Sequence, residues 1–199
     1  CTAAQLETLL HFAETSAHAQ ELPVRTAAAL LLRRLRSSAP QTARVYAALE
    51  KMDCADSLSL TLLRGGLLSG ETACLPDETI SDIFLDNLKT ATPWIIKQVN
   101  ILLLTEHAHA GGAQVLHIAA HLSNLIKVSD RVTVRHSAGA ALLELAPLLS
   151  VDQRNEIAVE LCRGLELGQQ EFTKYIPRLF GAFCPVAPAG AVRRAALEP

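Results

Sequence analysis

Apolar residues recur three or four positions apart along most of the chain, the spacing that places them on one face of a helix. Leu6, Leu9, Leu10 and Ala13 define a first helix over about residues 2–19. Pro23 then falls where a first helical turn tolerates it, and Val24, Ala28, Leu31 and Leu35 continue one stripe. The next pair spans about 40–53, opened by Pro40, and 57–69, stopped by Gly70. A third pair begins after Pro76 and resumes after Thr92-Pro93, with Thr92 placed to cap the free amides and Ile95, Val99 and Leu102 on one face. Helices at about 112–127 and 131–149 follow Gly111-Gly112, the latter starting at Asp130. The last pair covers about 151–167 and 171–183, with Ser150 and Gln153 forming a capping-box pattern and Gly168 just beyond the first helix.

Ten helices in five pairs carry a repeat. Aligned on their first apolar residue, the second helices begin at Val24, Leu60, Ile95, Val134 and Phe172, at intervals of 36, 35, 39 and 38 residues. Val24/Ala28/Leu31/Leu35, Val134/Ala138/Ala141/Leu145 and Phe172/Ile176/Leu179/Phe183 share one set of offsets. The unit at Leu60 departs from it, with Arg64 at an apolar position and Gly65-Gly66, each of which weakens a helix by roughly 1 kcal/mol.

The phrase Val134-Arg135-x-x-Ala138-x-x-Ala141-Leu142, begun also by Val24-Arg25-x-x-Ala28, resembles the second helix of a HEAT repeat. With the period in the high thirties, it is similar to the HEAT and armadillo families over residues 1–184. The resemblance implies an all-α fold, an α-solenoid of about five antiparallel helix pairs that presents one long surface. It also implies that Arg25 and Arg135 tie neighbouring repeats together and that the second helices line the concave side. The competing expectation is an irregular all-α bundle that folds back on itself. Residues 1–184 read as a single domain. Residues 185–199, with Pro185, Pro188 and Gly190 ahead of Val192-Arg193-Arg194, read as a loop or the start of a further helix. The opening Cys1 reads as a segment cut from a longer protein.

Composition agrees with closely packed helices. Half of the 199 residues are hydrophobic but only 4% are aromatic, with Leu and Ala dominant. A net charge of −2 argues against a general nucleic-acid binder, and the apolar runs are too short for a membrane span. Cys1, Cys54, Cys74, Cys162 and Cys184 include no Cys-x-x-Cys pair, which suits reduced thiols and a cytoplasmic location.

The sequence points to no catalytic residue, metal ligand or cofactor. His117 and His121 stand four apart, a spacing that lets two imidazoles share a metal, but no Glu-x-x accompanies them and they read as ordinary polar positions. Asp82 with Asp86, and Glu156 with Glu160, read as solvated faces. Trp94 reads as packing between repeats or as an aromatic anchor for a partner. Charge carries the functional signal: the segments of the five first helices sum to −7 and those of the second helices to +4. In a HEAT-like array the inner face is then mildly basic, with Arg33, Arg34, Trp94, Lys97, Lys174 and Arg178 as candidate partner-binding residues. The function expected is a protein-protein interaction scaffold without catalysis, docking an acidic protein segment or another domain of the parent chain. The alternatives are a regulatory module of a larger enzyme, a HEAT-like DNA glycosylase, or a lyase acting on a bilin-type chromophore.

Overall fold

The computed structural model describes residues 2–36, 42–72, 75–89, 91–166 and 176–183. Among them all regular structure is helical. Helix α1 (Ala3–Ser16) packs on α2 (Leu22–Leu35), and α3 (Thr42–Lys51) on α4 (Leu58–Ser69). The next element is irregular: one turn, α5 (Asp77–Thr79), widens into a π-helix at Ile80–Leu85 and tightens into a 3-10 turn at Asp86–Leu88. It packs against α6 (Trp94–His109). Helix α7 (Val115–Val128) pairs with α8 (Val132–Leu145), and α9 (Val151–Glu166) with α10 (Ile176–Phe183).

Local chemistry explains several boundaries. Thr2 and Gln5 form a reciprocal cap on α1. Ser150 and Gln153 do the same for α9, through bonds of 2.9 and 3.3 Å. Ser57 caps α4, and Gly70 ends it at φ +80, a left-handed conformation that favours glycine. Other starts differ from expectation. Thr92 gives α6 no side-chain cap; the carbonyl of Pro93 accepts from the amides of Ile96 and Lys97 instead. Arg131 rather than Asp130 immediately precedes α8. Between Pro76 and Lys89 an ordinary α-helix gives way to the π segment, because Ile80, Phe84, Leu85 and Leu88 are all drawn into the core.

The pairs are joined mainly to their neighbours. Second helices meet second helices (α2 on α4, α4 on α6, α6 on α8, α8 on α10), and first helices meet first helices (α1 on α3, α7 on α9). Helix α2 also reaches past α4 to touch α6. Ala28 and Ala29 of α2 are both buried. Polar side chains pin these junctions. Arg44 of α3 grips Glu14 of α1 at 2.9 Å through Nε. Ser59 donates to Asn100 across α4 and α6 at 2.7 Å, Gln98 to Ser137 across α6 and α8 at 3.3 Å, and Lys127 to Glu160 across α7 and α9 at 3.2 Å. Glu160 is therefore an interhelical partner and not simply part of a solvated face.

The buried stripe of α8 follows the sequence phrase, with Val134, Ala138, Ala141 and Leu145 inside. That of α2 does not: Val24 is 38% exposed, and Arg25, Ala28, Leu32 and Leu35 face inward. The helix is rotated by about one residue because it must present a face to both α4 and α6. Leu60, Leu179 and Phe183 are buried, while Phe172 lies outside the described residues.

Candidate functional site

Three second helices enclose a groove of about 430 Å³. Helix α2 contributes Ala27, Leu30 and Leu31, α6 contributes Ile95, Ile101 and Leu102, and α8 contributes Ala140 and Ala141. Helix α4 is absent from the lining, because α2 packs directly on α6. The floor is thus aliphatic and open-sided, with only alanines as its apolar residues on α8. Its polar groups are Arg33 and Arg34 in the last turn of α2, Glu144 on α8, Thr105 on α6, and Gln98 of α6 bonded across to Ser137 of α8.

Arg33 is held by Glu106 of α6 at 2.8 Å, a half-exposed pair that contributes roughly 0–1 kcal/mol. Arg34 is exposed and makes no ion pair among the described residues. Glu144 stands 3.9 Å from His109. The groove therefore combines an aliphatic surface with charges of both signs, and Arg34 is a cation in its lining without an ion pair among the described residues.

The other sequence-derived candidates are elsewhere. Lys97 is only 7% exposed and lines a different cavity, facing α7 and the π segment. The expectation that it projects from the groove wall fails because α6 is enclosed on nearly all sides: Ile95, Ile96, Lys97, Val99 and Asn100 are all buried. Trp94 is 43% exposed at the first residue of α6 and is not part of the groove lining. Arg178 is exposed on α10, away from that lining. Lys174 lies outside the described residues.

The positive sum over the second helices also has a largely structural origin. Arg25 is buried, donates to the carbonyl of Ala19 at 2.9 Å and pairs with Asp56 in the α3–α4 loop. Asp56 is held below its ordinary carboxylate value by that guanidinium. Arg135 occupies the same place in its own pair and donates to the carbonyl of Ser129 at 2.6 Å, again six residues upstream. Arg64 donates to the carbonyls of Leu49 and Glu50 at 2.8 and 3.0 Å. These arginines bond carbonyls in the last turn of a preceding helix or just beyond it, where intrahelical donors run out. Counting charge by helix could not separate them from groove residues; the recurrent Val-Arg phrase marks Arg25 and Arg135 but not Arg64.

His117 and His121 bring their Nε2 atoms to 3.2 Å, and His121 is pushed down by burial, then by the neighbouring His117 and Lys89. Among the described residues no group of three His, Cys, Asp or Glu side chains could hold a metal ion. No described helix is long and apolar enough to cross a membrane. Cys54 is a buried thiol whose pKa burial raises, away from nucleophilic use, and Cys162 is partly buried.

Comparison with family models, curated proteins and solved structures returned no match for this chain.

Proposed function

We propose that the chain is a protein-interaction module, a HEAT-like array of helix pairs working in the cytoplasm, whose groove across α2, α6 and α8 receives a segment of a partner protein. The observation that carries this reading is the groove itself: an aliphatic floor built by three helices distant in sequence, bordered by Arg34, which has no ion pair among the described residues. The neighbour-to-neighbour packing and the paired roles of Arg25 and Arg135 support the solenoid reading. The occupant is an amphipathic segment, with two or three aliphatic residues on the floor and a carboxylate against Arg34. Shape and burial supply most of the affinity, and the cation sets register and on-rate. No bond is made or broken in this mechanism.

Peptides selected by display against the immobilised protein provide the test, with binding read by fluorescence anisotropy at low salt. Selected peptides carry an acidic residue beside an aliphatic pair, and Arg34→Glu weakens them about tenfold, equivalent to about 1.4 kcal/mol. Ala140→Glu, on the apolar floor, weakens them further. Peptides that bind both variants as tightly as the parent protein would remove the groove from the mechanism.

A further inference from the structure

On the other side of α6 lies a second cavity, of about 590 Å³, between the π segment and its 3-10 continuation, α6, α7 and the α7–α8 turn. That volume is within the range of small-molecule sites. Leu85, Leu88, Leu125 and Val128 supply apolar wall. Into it opens Lys97, more than nine-tenths buried and without a hydrogen bond or ion pair among the described residues. Burying most of this side chain with no counterion at ion-pair distance among the described residues disfavours its charged form. Asp130, the acidic residue in the lining, is engaged by Arg131 at 3.6 Å and lends Lys97 only a longer-range attraction. Desolvation accordingly holds the Lys97 amine below its ordinary value. Lys89 in the lining is already paired with Asp86, and His121 and Asn124 add an imidazole and a neutral amide. The π-helical turn that bounds the cavity is a local departure of a kind common at ligand sites.

We propose that this cavity binds a small monocarboxylate with an apolar body, its carboxylate paired with the Lys97 ammonium and its chain against Leu85, Leu88, Leu125 and Val128. The ligand provides the missing counterion and covers apolar wall in one step. An alcohol of equal length can do only the second, so the site discriminates by charge. Asp130 works against a second negative charge on the ligand, which is why a monoanion with an aliphatic or aromatic body fits and a polyanion does not.

Octanoate and octanol are the probes, titrated by calorimetry into the intact chain, with amide shifts followed by NMR. Octanoate binds saturably, at least tenfold tighter than octanol, and shifts amides of the first half of α6 and the second half of α7. Lys97→Met abolishes the preference, while Arg34→Glu in the separate groove leaves it unchanged. Equal binding of the two probes, absence of saturable octanoate binding, or a preference that survives Lys97→Met overturns the assignment. The comparison of probes uses the unaltered chain, so it decides the matter even where the Met variant fails to fold.

Discussion

Gly112 sits against the imidazole of His107, and adding one methyl group there puts the packing of the α6–α7 junction to a quantitative test. A Cβ built on Gly112 lies 2.1 Å from His107 Nε2, 2.3 Å from Cε1 and 2.4 Å from Cδ2. Carbon atoms in contact sit about 3.5–4.0 Å apart, so the ring or the loop must move by more than an ångström. The ring has nowhere to go: His107 is 1% exposed, and both of its nitrogens are buried without a hydrogen bond, with Asp77 3.9 Å away. Moving the loop instead strains the bond from the Gly112 amide to the His107 carbonyl, which is 3.0 Å long. Overpacking of this kind costs about 1–3 kcal/mol, and loss of the hydrogen bond about 0.5–1.5 more. Gly112→Ala is therefore expected to destabilise the protein by about 2–4 kcal/mol, read as a lower urea midpoint by far-ultraviolet circular dichroism. In a His107→Ala background the new methyl enters the vacated space and its cost falls below about 1 kcal/mol, a coupling of the size seen between touching residues. A Gly112→Ala variant within about 0.5 kcal/mol of the parent, or a cost unchanged by removing the imidazole, would refute the argument.

Gly65 offers the opposite sign. It is exposed inside α4, with nothing within 4 Å of the place an added methyl group would take, so Gly65→Ala should stabilise the protein by about 0.5–1 kcal/mol in the same urea experiment. Acid should act through three carboxylates. Asp56 beside Arg25, Glu14 beside Arg44 and Glu160 beside Lys127 are all held below their ordinary values of 3.8, 4.5 and 4.5. Their folded values are lower than their unfolded ones, so their stabilisation is complete above about pH 5 and is lost as pH falls through the folded values. The urea midpoint should decline below that pH, and Asp56→Asn with Glu160→Gln should flatten the decline; an identical slope in the double variant would show that other groups govern it.

Much of the helical framework was legible from local patterns, because each signal acts within one or two turns. The capping pair Ser150 and Gln153, the stop at Gly70 and the apolar spacing of Val134, Ala138, Ala141 and Leu145 all coincide with observed features. Arg25 and Arg135, singled out by a shared phrase, do recur in one geometry, each donating to a carbonyl six residues upstream. The candidate site was less legible. Arg33 and Arg34 border the groove, but Lys97 is buried beyond it and Trp94 stands outside its lining. The aliphatic floor, from Ala27 to Ala141, carries no sequence signal that distinguishes it from ordinary core.

Periodicity by itself determined that this chain makes amphipathic helices and roughly where each begins and ends, since hydrogen bonds, caps and stripes within a helix depend on residues three or four apart. Only tertiary packing decided which way each helix is turned. Helix α2 faces two neighbours at once, so Val24 is left exposed and Arg25 is carried inside; α6 is wrapped on most sides, so a lysine that periodicity places at the surface becomes buried. Such rotations, of up to about one residue, depend on the shapes of partners far away in sequence, and they decide whether a cation meets solvent, a groove or a half-open cavity.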